Sequence, residues 1–108
     1  MAEHRRPPIW SSDAYTDLAR IWDYYAQVAG RHTAEKIIRE IGDATVILEN
    51  HPFAGRSRNE VRPGLRSVIA SPHVIFYRIS ANVAEIVRIL DGRQDIDAQF
   101  IDDNNTQI

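Results

Sequence analysis

At 108 residues and 44% hydrophobic content the chain is sized for one domain, residues 1–108, with a real but modest core. Cysteine is absent, which excludes disulfides and thiolate chemistry and suits a cytoplasmic setting. A formal net charge of −2 excludes a protein that grips nucleic acid through a general basic excess and leaves only a local basic patch as a route to phosphate.

In chain order, residues 1–8 read as a loose polar arm whose Pro7 and Pro8 favour extended backbone. The arm has no hydrophobic stretch after its basic pair, so it does not read as a signal peptide. Ile9-Trp10 is expected as a short edge strand. Ser11 or Ser12 can cap a helix, with Asp13 well placed for its positive end. Ala14, Leu18, Ile21, Trp22, Tyr25 and Val28 or Ala29 then recur at spacings of three and four, one apolar stripe on a helix. Asp17, Arg20, Asp23 and Gln27 are expected mostly away from that stripe, and Gly30 is a natural stop. A second stripe of Ala34, Ile37, Ile38, Ile41, Thr45 and Leu48 predicts a helix from near Thr33 to before Pro52. About three residues would then join the two helices, which allows little besides an antiparallel hairpin.

Residues 50–64 read as a loop, with Pro52, Gly55, Pro63 and Gly64. After it the period changes from 3.6 to 2. Leu65–Ala70, His73–Ser80 and Val83–Asp91 predict three strands, separated by Ser71-Pro72 and by a tight turn at Ala81-Asn82. Ile96, Phe100 and Ile101 suggest a helical turn packing back, and 102–108 a frayed tail. The fold class is therefore α+β: an N-terminal short strand and helical hairpin packed on a C-terminal three-stranded antiparallel meander. No apolar run approaches the roughly 18 residues of a membrane span.

Side chains alternate across a strand. One face of the second strand carries Ile75, Tyr77 and Ile79, the other Val74, Phe76 and Arg78. In the third, Val83, Glu85, Val87 and Ile89 alternate with Ala84, Ile86, Arg88 and Leu90. Both faces of the sheet are thus largely apolar, while a helical hairpin covers only one. The second face needs another cover: the tail with a homodimer contact, or, as the sharper reading, a partner chain.

Little else in the chain carries chemistry. His4, His32, His51 and His73 are far apart without metal-ligand spacing, so no metal or other cofactor is expected. No GxSxG elbow and no phosphate-cradling glycine loop occurs. Asp91, Asp95 and Asp97 cluster without the order of a calcium loop and read as a solvated turn. Arg56, Arg58, Arg62 and Arg66 lie in or beside the central loop, and Arg78, Arg88 and Arg93 follow along the sheet. Arg78 and Arg88 interrupt apolar strands, where a charge must be exposed or paired. They either pair with Glu60, Glu85 or Asp91, or are forks aimed at a carboxylate-rich or phosphate-bearing partner.

Ala14-x-x-Asp17-Leu18-x-x-Ile21-Trp22-x-Tyr24 resembles the first helix of ParE toxins of the RelE/ParE superfamily. Pro52-x-x-Gly55-Arg56, Glu60 and Gly64-Leu65-Arg66 continue the likeness. So do His73-Val74-Ile75-Phe76-Tyr77-Arg78 and Val87-Arg88-Ile89-Leu90-Asp91-Gly92-Arg93-Gln94-Asp95-Ile96, where relatives often have His for Asp91 and Met for Gln94. The order and spacing of these strings over residues 9–100 carry the resemblance.

It implies a RelE/ParE-like fold and the toxin of a type II toxin–antitoxin system, a protein that poisons DNA gyrase and is not itself an enzyme. Such toxins are held inactive by a ParD-like antitoxin, which wraps a segment that folds on binding into an apolar groove. DNA is then reached only through the antitoxin, and a homodimer or a higher toxin–antitoxin assembly is compatible with the resemblance. Arg66, Arg78, Arg88 and Arg93 are the expected target- or antitoxin-contacting charges, and Trp10, Trp22, Tyr25 and Phe76 the core or groove residues. The alternatives are a RelE-like ribosome-dependent mRNA endonuclease and a non-toxic binding module of the same fold. The nuclease branch typically carries lysines on the early strands and a tyrosine near the C-terminus. Here the only lysine is Lys36, and no tyrosine follows Tyr77.

Overall fold

The computed structural model describes residues 6–105, with side chains through Phe100. Its elements run β1 (Ile9–Trp10), α1 (Ser12–Ala29), α2 (Arg31–Ala44), a 3-10 turn (Val46–Glu49), β2 (Arg56–Ser57), β3 (Arg66–Ala70), β4 (His73–Ser80), β5 (Val83–Asp91) and α3 (Ile96–Asn105). Of the loose arm expected over 1–8, residues 1–5 lie outside the described part, and the Arg6 backbone N–H reaches the Glu49 carbonyl at 3.4 Å. The tail expected to fray from 102 is helical to Asn105, with the last three residues outside the description.

Ser11 caps α1: its Oγ accepts from the Ala14 amide at 3.0 Å, satisfying a donor that the first helical turn leaves over. Where about three linking residues were expected, Gly30 alone separates the helices. Its φ of 95° is a conformation that side-chain-bearing residues avoid, and it lets α2 start at Arg31 instead of near Thr33. The stripe of the second helix ends in the 3-10 turn, where Leu48 is buried.

The meander is present, with the expected edge strand at Ile9–Trp10 on one side and an additional strand, β2, on the other, giving the order β1-β5-β4-β3-β2. β1 lies parallel to β5, a long-range pairing that no local pattern announces. β2 adds two residues of the expected loop beside β3. Behind it, the Tyr77 hydroxyl donates to the Pro52 carbonyl at 2.7 Å and accepts from the Gly55 amide at 2.9 Å. A Cβ on Gly55 would sit 2.6 Å from Tyr77 Cε1 and 2.7 Å from the Ser67 carbonyl, so this turn requires glycine. At the β4–β5 hairpin both Ala81 and Asn82 take positive φ, 54° and 64°, the turn whose twist suits two antiparallel strands.

Strict alternation in β5 fails. Tyr77 pairs with Ile86 but Phe76 pairs with Arg88, so Val87 is an extra, bulged residue. Ala84 and Ile86 face the helices before the bulge and Ile89 after it. The helix-side core is Ala14, Ile41, Leu48, Ile75, Tyr77, Ala84, Ile86 and Ile89, flanked by Trp10, Leu18 and Ile21.

The second face is also closed. Leu65, Val74, Phe76, Leu90 and Phe100 form their own cluster, with Val61, Val87 and Ile96 against it. Phe76 is fully buried and meets Phe100 edge-on at 5.2 Å. The reading that this face awaits a partner chain is therefore corrected at its centre, because α3 and residues 61–65 supply the cover. Burying these five side chains contributes on the order of 2 kcal/mol each in removed apolar surface.

Candidate functional site

The arginines expected to meet a partner all have partners within the chain. Arg88 Nε and Nη2 hold the two oxygens of Asp17 at 2.8 and 3.1 Å, and the Ile89 amide donates to the same carboxylate at 2.9 Å. Both side chains are buried, 11% and 6% exposed, so this fork ties α1 to β5. Asp17 was expected away from the apolar stripe, and the Arg88 partner among Glu60, Glu85 and Asp91; the structure corrects both. The missed signal was helical spacing: Asp17 stands three residues after Ala14 and four before Ile21, on the edge of the buried stripe.

Arg78 pairs with Glu85 at 2.7 Å on the exposed end of the β4–β5 ladder, one of the expected pairings. Arg66 donates to the carbonyls of Phe53 and Gly55 at 3.0 and 2.8 Å and lies over the Phe53 ring. Arg93 grips Asp91 through Nη2 at 2.6 Å and Nε at 2.9 Å, and its amide donates to the same carboxylate. Those hydrogen bonds hold the Asp91 carboxyl well below the usual carboxylate range. The Arg93 side chain lies at the surface, 80% exposed.

Tyr25, Arg88 and Arg93 meet at one place. A groove of about 610 Å³ runs between α1 and the end of β5 with its following turn, lined by Ile21, Tyr24, Tyr25, Val28, His73, Ile89, Asp91 and Arg93, among others. Tyr24 and Val28 are each more than half exposed on its rim. Tyr25 stands edge-on between Tyr24, at 5.0 Å, and His73, at 6.1 Å. His73 is buried opposite Asp91 in the β4–β5 register, and burial pushes its pKa below the ordinary 6.5. Arg66 and Arg78 lie outside this groove, Phe76 is in the second-face core, and Trp22 is half-buried on α1 without lining it.

The groove has an apolar floor, aromatic walls and an exposed cation at one end. It can take an amphipathic segment with an acidic residue near Arg93. Among the described residues no group of three or more His, Asp or Glu could hold a metal ion, and no helix is long and apolar enough to cross a membrane.

Residues 9–96 match the family model described as ParE toxin of the type II toxin-antitoxin system, parDE. The chain belongs to the ParE toxin family. It is 35% identical over 88 residues to Toxin ParE1 of Mycobacterium tuberculosis, covering 81% of this chain and 90% of that protein. Toxin ParE3 of Caulobacter vibrioides is 34% identical over 84 residues, covering 78% and 84%. A solved structure described as a chromosomal ParDE TA system from P. aeruginosa superposes with a TM-score of 0.70 at 25% identity, covering 82% of this chain and 98% of that one. The two-helix hairpin on a mainly antiparallel sheet is thus the ParE fold, and α3 begins where the family match ends.

Proposed function

We propose that this ParE-family chain inhibits DNA gyrase, blocks replication, and is neutralised by a ParD-like antitoxin. The groove between α1 and β5 carries the antitoxin half of the reading. It is open, apolar, walled by Tyr24 and Tyr25 and ended by the exposed Arg93. A segment that folds on binding gains apolar burial along such a groove and a charge-assisted anchor at its end. The antitoxin-bound state also covers the exposed Tyr24 and Val28.

The gyrase half is supported by family membership and by residues the chain lacks. Ribonuclease chemistry on mRNA needs cations around the scissile phosphate and a group to move the 2′-hydroxyl proton. The lone Lys36 is on α2, no tyrosine follows Tyr77, and the Tyr77 hydroxyl is itself bonded to the Pro52 carbonyl and the Gly55 amide. The protein is therefore read as a poison of another enzyme's cycle.

Purified chain should inhibit supercoiling by gyrase in vitro and leave ribosome-bound mRNA uncut, and a ParD-like protein encoded beside it should relieve the inhibition. Unaffected gyrase at high excess of the chain would sink the reading. Codon-positioned cuts in translated mRNA would revive the nuclease. Arg93→Ala should weaken antitoxin binding or toxicity at least several-fold with an unchanged melting temperature, since its side chain is exposed and pairs with Asp91, two residues away. An unfolded variant would assign Arg93 a structural role instead.

A further inference from the structure

Charge is distributed unevenly along this chain. Residues 50–80 hold five arginines against the single acid Glu60, a balance of +4, while the rest, eight cations against fourteen acids, carries −6. The fold gathers most of that positive stretch at one end of the sheet, because β2 is the outer strand opposite β1. Arg56 pairs with Ser67, which pairs with Phe76, so Arg56 and Arg58 belong to the α3 face. Arg66, opposite Tyr77, belongs to the other face and reaches the Gly55 carbonyl. Arginines therefore bracket this sheet edge from both sides. Arg78, one position beyond the Tyr77 that pairs with Arg66 but on the inner strand β4, is paired with Glu85 and is not part of the edge.

The bracketing guanidiniums are held mainly by neutral groups. Arg58 lies 5.6 Å over the Phe76 ring and donates to Ser67 Oγ at 3.0 Å. Arg66 lies 5.4 Å over Phe53 and donates to two backbone carbonyls. Such partners fix a planar fork in place without cancelling its charge. Glu60 stands off at 3.7 Å from Arg58 and is mostly exposed, and Arg56 is exposed.

We propose that this arginine-lined edge is a contact surface for the phosphate backbone of duplex DNA. Phosphate binding asks for fixed, positive, hydrogen-bonding forks and needs no recess. An acidic protein segment gains its affinity from strand addition or apolar pockets. Here β2 is two residues long, too short to template a strand, and none of these arginines lines the α1–β5 groove. The acidic remainder of the molecule repels DNA and turns this edge toward it. The contact is weak, independent of base sequence and sensitive to salt. It departs from the expectation that DNA is reached only through the antitoxin, and it stands independently of the enzyme the toxin inhibits.

The test is fluorescence anisotropy of a labelled duplex of about 20 base pairs with the full chain. If three phosphates are neutralised, affinity falls about 40-fold between roughly 50 and 200 mM salt. Arg56→Glu should weaken binding about tenfold and lower the salt slope by about one. Arg58→Gln should act in the same direction, with melting curves confirming that each variant is folded; where Arg58→Gln is not folded, Arg56→Glu decides. Arg39→Glu, an exposed change on α2, should leave binding unaltered. No binding at the lowest salt would overturn the proposal, as would equal loss in Arg39→Glu. A polyglutamate peptide that binds more tightly than the duplex at equal charge would overturn it too, and would assign the edge to an acidic protein.

Discussion

Asp17 is the residue on which helix and sheet layers are tied together. Its carboxylate satisfies a buried guanidinium and a strand amide at once. Asp17→Ala leaves the Arg88 charge without that counter-ion and the Ile89 amide without its acceptor, and should cost about 3–5 kcal/mol. Urea unfolding measures it, and an unchanged midpoint would show the fork to be dispensable. His73 is a second case of a polar group held dry. Its folded pKa lies below the unfolded 6.5, so in acid the unfolded chain takes up a proton that the folded chain refuses. Stability is full above that value and declines as pH falls through it toward the folded pKa. Asp91 and Arg93 pull on the ring in opposite directions, and Tyr25 packs against it. His73→Gln should shrink the drop in urea midpoint between about pH 7.5 and 5.5. A variant as acid-sensitive as the parent would place that sensitivity elsewhere.

At the scale of elements, what was legible was what obeys a short period. The stripe from Ala14 to Tyr25 and the alternation through His73–Ser80 announce α1 and β4, because packing against a single layer imposes 3.6 and 2 on the sequence. Three features lack such a period. β2 is two residues inside a glycine- and proline-rich loop, the parallel pairing of the expected strand β1 is with a strand some 75 positions away, and the bulge at Val87 is an insertion in register that leaves composition unchanged. The site was legible in part: Tyr25, Arg88 and Arg93 do meet at the groove, while Phe76 went to the core and Arg66 to the opposite edge. The tight turn expected at Ala81-Asn82 is present, although only Asn82 favours its backbone conformation. Ala81 pays for its positive φ with a Cβ contact, so Ala81→Gly should stabilise the hairpin by about 0.5–1 kcal/mol. Thermal melting reads this directly, and a destabilised variant would show that unfolded-state entropy outweighs the relieved strain.

Over the whole molecule, the tail decides how much apolar surface is left for partners. With Phe100 inserted beside Phe76 and under the Arg62 guanidinium at 4.9 Å, the second face is shut and the exposed apolar residues are scattered at the rims. Phe100→Ala should reopen it, exposing Phe76, Val74 and Leu90. The expected outcome is self-association in sedimentation and a loss of up to about 3 kcal/mol in stability. A variant that stays as monodisperse and as stable as the parent would show that α3 is not the cover.

The single glycine between α1 and α2 has an evolutionary consequence. A helix advances about 100° per residue, so one amino acid inserted beside Gly30 would rotate α2 by more than a quarter turn and carry Ala34 and Ile41 out of their buried positions. Only glycine takes that junction's φ without strain. The hairpin is thus a fixed gear whose teeth cannot be recut one at a time. Length changes at residue 30 are therefore selected against at the level of folding, before any antitoxin is encountered.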